Sequence, residues 1–162
     1  MTGSELKSRL RQLIIRQLQA DHELQVRAAQ LAHDEAISEE SRPENKYDTH
    51  SQEAAYLAEG QAKLAAEAAA AISAYQALPL PDFDDAAPLA IGALLRLSAT
   101  GRTDWYLLGP LSGGLEIALP DHGDVCVLTP LSPLGRQLIG KHVGDNVTLP
   151  GSGATATISK VC

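Results

Sequence analysis

Eight carboxylates crowd one short stretch of this 162-residue chain: Asp34, Glu35, Glu39, Glu40, Glu44, Asp48, Glu53 and Glu59, against only Arg42 and Lys46. Carboxylate oxygens are hard ligands. At the end of a rigid arm they could help to coordinate a Mg²⁺ ion held mainly by another macromolecule. The same acids equally suit a solvated helix end, because negative charge is favourable near a helix amino terminus. Other reactive sets are weaker. The five histidines are scattered, and His33, Asp34 and Glu35 diverge around a helix axis rather than converging. Leu108 to Gly114 is glycine-rich but has no phosphate-binding lysine, so it reads as a turn, as does Gly151-Ser152-Gly153. Cys126 and Cys162 lack metal-ligand spacing and read as two reduced thiols. No nucleophile, base and orienting group can be assembled, so no independent enzyme activity is expected.

The elements that must position the acids are helical. From Ser4 to about Glu40 nothing breaks a helix, and Leu6, Leu10, Leu13, Ala20, Leu24, Ala28 and Leu31 form an apolar stripe interrupted by Gln17. Tyr47, His50, Ala54, Leu57, Gln61, Leu64, Ala68, Ala71, Tyr75 and Leu78 alternate in steps of three and four, which predicts a second helix. Alanine at so many of these positions permits close approach, and two such helices make an antiparallel coiled-coil hairpin over residues 1–78 with the acids gathered toward its tip. Ser41-Arg42-Pro43-Glu44 and Thr49-His50-Ser51-Gln52 both offer caps for the second helix.

Composition changes sharply at Pro79: from that residue onward come eight of the nine prolines and eleven of the thirteen glycines. Residues 79–88, with Pro79, Pro81, Asp82, Phe83, Asp84 and Asp85, read as a linker. Residues 89–162 read as a small β-rich domain with strands at 91–98, 104–108, 115–119, 125–128, 146–149 and 154–161. The whole is an α+β chain. Its net charge of −7 argues against autonomous DNA binding, which needs a basic face, and points to protein partners. No signal peptide or membrane-length apolar run is visible, so a cytoplasmic protein without membrane contact is expected, as a monomer.

The segment Leu131-Ser132-Pro133-Leu134-Gly135-Arg136-Gln137-Leu138-Ile139-Gly140-Lys141-His142-Val143-Gly144-Asp145 is the most specific in the chain. Ser132 is a helix cap, Pro133 suits the first helical position, Leu134, Leu138 and Ile139 give one apolar face, and Gly140 stops the helix. His142 to Asp145 then turns into a strand. This stretch resembles the S-P-L-G-R-A-L-L-G-K-x-x-G-D signature of the Gre family of bacterial transcription factors. The resemblance implies an FKBP-like fold for residues 89–162 and RNA polymerase as partner. It also implies that the coiled coil enters the polymerase secondary channel while Leu131, Ser132 and Pro133 dock at its rim.

In that family, tip acids of a motif like G-D-L-K-E-N-A-E-Y help to bind the polymerase's catalytic Mg²⁺. The nearest match here is Glu40-Ser41-Arg42-Pro43-Glu44-Asn45-Lys46-Tyr47, and Glu44-Asn45-Lys46-Tyr47-Asp48-Thr49 is similar to Gre-like proteins carrying K-Y-D/E-T. By this likeness Glu44 and Glu40 are the candidate ligands of a shared Mg²⁺, with Glu39 and Asp48 as further tip acids. Ser41 stands where the family has its first acid, and a neutral hydroxyl is a poor substitute for a carboxylate on Mg²⁺. Channel occupation without cleavage therefore competes with stimulation of the polymerase's own RNA cleavage. Two other classes of function compete with this reading. One is a coiled-coil adaptor or chaperone without a polymerase role. The other is a prolyl isomerase, which needs an aromatic-lined pocket that adjacent Trp105 and Tyr106, on opposite strand faces, supply poorly.

Overall fold

The computed structural model describes residues 1–40 and 50–162. The chain is α+β. Two long helices, α1 (Gly3–Glu40) and α2 (His50–Ala77), precede β1 (Leu94–Ala99), β2 (Arg102–Leu108), β3 (Glu116–Leu119) and β4 (Gly123–Leu128). The short helix α3 (Pro133–Leu138), β5 (Asn146–Thr148) and β6 (Thr155–Val161) complete the described elements. Two compact units result: Met1–Ile14 with Ala74–Cys162, and Ile15–Ser73. The unit boundaries fall inside α1 and α2, not at the prolines that follow them.

Within the unit of residues 15–73 the helices run antiparallel, since Ile37 near the end of α1 and Ala55 near the start of α2 line one groove. Their buried stripe differs from the expected one. Leu18, Ala32 and Ala36 are buried, whereas Leu24 and Leu31 lie out, Leu31 at 71% exposure. On α2, Leu57 and Leu64 are likewise exposed, and Ala58 and Ala65 take the inner positions. The cause is helical geometry. A straight α-helix drifts about 20° per heptad against a strict seven-residue repeat, so a buried stripe walks off a leucine series spaced by sevens. The inner alanines leave a groove of about 720 Å³ between the helices, lined by Ala29, His33, Ala36, Ala58, Ala62 and Ala65 among others.

The other unit is built on one mixed sheet of order β3-β4-β2-β1-β6-β5, in which β2 and β4 are parallel and the remaining pairs antiparallel. Leu95, Leu97, Leu108, Leu128, Leu134, Leu138, Val147 and Ile158 share a core beneath α3, with Phe83, Tyr106 and Val143 packed against it. All six expected strands are present, with ends shifted by up to three residues. Burial along β6 does not keep a period of two to its end: Ala156, Ile158 and then Val161 are buried. A bulge opposite Arg96 and Leu97 shifts the register there, so one extra residue intervenes and Lys160 is left outside.

The ends of the long helices belong to this unit. Leu6, Leu10, Ile14, Tyr75 and Leu78 are buried. The Tyr75 hydroxyl donates to the Leu111 carbonyl at 2.7 Å, and Arg11 donates to the Leu78 carbonyl at 3.1 Å. Lys7 is 1% exposed and donates to the Pro81 carbonyl, with its ammonium 5.2 Å from the Phe83 ring centroid. Residues 79–88 are thus held against α1 rather than standing clear of it. Burial pushes the Lys7 ammonium pKa down, opposed in part by the Cys162 and Asp82 charges.

The shifted stripe makes one helix respond unequally to the same truncation. Leu10→Ala should destabilise the protein by about 2–5 kcal/mol as a cavity opens, whereas Leu31→Ala should stay within about 0.5 kcal/mol. Equal losses in denaturant melts of the two variants would restore the leucine series as the seam.

Candidate docking site at the start of the short helix

The loop from Thr129 to Pro133 joins β4 to α3 and is fixed from several directions. Ser132 adopts extended backbone, φ −70° and ψ 152°, as the helix cap. Its Oγ accepts from the Gly135 amide at 3.0 Å and donates to the Thr129 carbonyl at 2.8 Å, while its own amide donates to the same carbonyl at 3.1 Å. Pro133 opens the helix where an N–H would find no partner. Gly135 is buried, and a Cβ there would overlap the Thr129 carbonyl oxygen and crowd Ser132 Oγ at 2.7 Å. Leu134 and Leu138 anchor the helix in the core beneath it.

Held this way, Leu131 projects into solvent at 79% exposure, the most exposed large apolar side chain among the described residues. Pro133 is exposed beside it and Ser132 half-buried. Leu131, Ser132 and Pro133 therefore form one continuous surface feature beside the helix cap. Ile139 does not join the buried face expected of it. It is the C-cap, with φ −56° and ψ 126°, where the chain leaves the helix, and it lies exposed before Gly140 takes φ 81°. The far end of α3 is tied down by Gly140 donating to the Leu89 carbonyl at 2.8 Å and Leu89 donating to that of Lys141 at 2.7 Å.

The candidate tip acids fall elsewhere. Glu39 and Glu40 are the last residues of α1, with side chains outside the described set, and Ser41, Glu44 and Asp48 lie wholly outside the described residues. Among the described residues, no group of three or more His, Cys, Asp or Glu side chains converges as a metal site would require. No described helix is long and apolar enough to cross a membrane.

A polar pocket of about 300 Å³ opens at the β2, β3 and β4 end of the sheet, lined by Asp104, Tyr106, Glu116, Asp124 and Cys126 among others. Burial pushes the Tyr106 phenol pKa up, with the Asp104 and Cys126 charges adding to it. Burial also raises the Cys126 thiol, with Glu116 adding to it, and burial raises Cys162. Both shifts disfavour the thiolate, the nucleophilic form of the side chain. Sequence reasoning overlooked the buried cation Lys7 and the pairing of Arg96 and Lys160 around Trp105. Residues far apart in sequence meet in both cases, and no local pattern marks either.

Fold and loop together define an α+β protein with a long helical pair, a mixed sheet and an apolar residue displayed from a capped turn. No family model matches the chain, and no curated protein matches it. Among solved structures it is similar to GreA factor homolog 1 (Gfh1) of Thermus thermophilus, 17% identical over 91% of this chain and 94% of that one, with a TM-score of 0.35. It is also similar to Gfh1 of Thermus aquaticus, at 18% identity over 90% and 92% of the two chains and a TM-score of 0.36. A structure described as the transcription factor Gfh1 shows 15% identity over 91% and 92%, with a TM-score of 0.36. Likeness at this level assigns no function to the chain.

The hydrogen bonds around Ser132 set the cost of disturbing the loop. Ser132→Ala should lower stability by about 1 kcal/mol through loss of the cap. Gly135→Ala should lower it by about 1–3 kcal/mol, because the Thr129 carbonyl blocks the added methyl group. Gly135→Ala melting like the parent protein would show that the loop yields.

Proposed function

We propose that this chain is a Gre-like transcription factor that binds RNA polymerase, docking through Leu131, Ser132 and Pro133 and placing the α1–α2 end in the secondary channel. The observation that carries the reading is Leu131, a leucine displayed to solvent next to the hydrogen-bonded cap at Ser132. Exposing a large apolar side chain forgoes about 1.5–3 kcal/mol of burial, and an apolar anchor suits a protein partner. The residues that resemble the Gre signature are the same ones that build this loop. Two helices of 38 and 28 residues, about 57 and 42 Å at 1.5 Å per residue, supply the reach of an inserted arm.

At the tip, Ser41 replaces a carboxylate of the family pattern. We assign the protein to channel occupation, which alters elongation and pausing, rather than to transcript cleavage. Glu44, Glu40, Glu39 and Asp48 remain its tip acids, and any Mg²⁺ they meet would belong to the polymerase.

Co-purification with core polymerase tests the docking. The wild type should be retained, and Leu131→Glu, folded by circular dichroism, should bind at least about tenfold more weakly. Undiminished binding by that variant would remove the loop from the interface, and failure of the wild type to bind would favour the adaptor reading. On backtracked complexes the wild type should leave RNA uncleaved while Ser41→Asp gains Mg²⁺-dependent cleavage. Strong cleavage by the wild type that survives Glu44→Ala would refute channel occupation.

A further inference from the structure

The sheet face opposite Tyr106 carries an arrangement that neither the docking loop nor the helical arm uses. Arg96 of β1 stands directly across from Trp105 of β2 and directly across from Lys160 of β6. Both cations approach the same indole: the Arg96 guanidinium carbon lies 5.7 Å and the Lys160 ammonium 6.0 Å from the ring centroid. Like charges placed directly opposite on neighbouring strands destabilise a sheet. The negative face of the ring offsets part of that repulsion. Among the described residues, however, no carboxylate pairs with either cation.

That absence is informative in a chain with a net charge of −7. Acids are plentiful, and alternation along the strands turns Asp104, Glu116 and Asp124 to the face of Tyr106, where they line a pocket whose rim also includes Arg102 and Trp105. The cationic face is furnished with hydroxyls instead. Arg96 Nε donates to Ser159 Oγ at 3.1 Å, and Ser98 Oγ donates to the same oxygen at 2.9 Å. Held at Nε, the guanidinium keeps its two outer nitrogens for a ligand. Lys160 is exposed, and Trp105 is half-buried.

We infer that Arg96, Lys160 and Trp105 form a binding site for a nucleotide unit, with a phosphate between the two cations and a base against the indole. A phosphate relieves the repulsion between the cations through charge-assisted hydrogen bonds, and Arg and Lys both suit it. The ring adds stacking that a carboxylate side chain would not use. Two sources supply this chemistry, a single-stranded RNA or a free nucleotide. The acidic chain gives a long polyanion no distant attraction, so contact is confined to very few nucleotides. The inference is independent of the polymerase reading.

Trp105 is the single tryptophan of the chain, so its fluorescence reports the site directly. The full-length protein would be titrated with an oligouridylate, with uridine monophosphate and with inorganic phosphate. The first two should quench Trp105, less so as salt rises, and phosphate should bind more weakly than either. Lys160→Gln and Arg96→Gln should each raise Kd about tenfold. Lys160 is exposed, so its variant separates lost binding from lost folding, with circular dichroism as the check. Tighter binding of the oligonucleotide than of the monophosphate supports a strand as the source, and equal binding supports the free nucleotide. Absence of quenching by both, wild-type binding by Lys160→Gln, or inorganic phosphate binding as tightly as uridine monophosphate would overturn the site.

Discussion

The contact between Gly135 and the Thr129 carbonyl is the constraint on which the candidate site depends. A side chain at Gly135 would occupy the space of that carbonyl, so only glycine lets the first turn of α3 lie against the end of β4. The same carbonyl accepts the Ser132 hydroxyl and the Ser132 amide. One backbone oxygen thereby fixes the cap, the start of the helix and the chain direction through Leu131. Leu134 and Leu138 turn this local geometry into tertiary structure, since their burial holds α3 against the sheet. Leu131 lies exposed between Thr129 and Ser132, the two residues these bonds join.

A second set of contacts joins the start of α1 and the end of α2 to the sheet unit. Lys7 lies almost wholly out of solvent, and its charge is balanced by a carbonyl and a ring rather than by a carboxylate. Tyr75 contributes a buried ring and a hydroxyl bonded to the Leu111 carbonyl, and burial holds that phenol protonated. Gly109 is small enough to admit this hydroxyl, which a Cβ at that position would strike. Residues 79–88, proline-rich and acidic, are consequently part of a packed unit, with Phe83 against the core.

The two faces of the sheet differ in how their charges are paired. Alternation along β2 sends Asp104 and Tyr106 one way and Trp105 the other, and cross-strand pairing sets Arg96 beside Trp105 and Cys126 beside Tyr106. Asp104, Glu116 and Asp124 lie beside Tyr106 and Cys126, with Arg102 paired to Asp104 at 3.0 Å, while Arg96 and Lys160 approach Trp105 with no carboxylate paired to either among the described residues. A net charge computed over the whole chain hides this difference, which is why an acidic protein can carry a cationic surface.

By itself the sequence determined the α+β class, the six strands and two long helices, and the capped helix at Ser132 and Pro133. Each rests on local physics: period, proline and glycine placement, and a serine able to accept its own helix's amide. It also marked Leu131, Ser132 and Pro133 as neighbours, because they are consecutive. Only the tertiary structure decided which stripe of α1 is buried, since a seven-residue leucine series and a helix of 3.6 residues per turn part company along its length. Tertiary structure also placed Ile139 outside, because the chain leaves α3 at that residue. The bulge in β6 lay beyond the sequence as well, for it depends on the partner strand and sends Val161 inward and Lys160 out. Lys160 meets Arg96 and Trp105 only through that pairing, across separations in sequence that no motif spans.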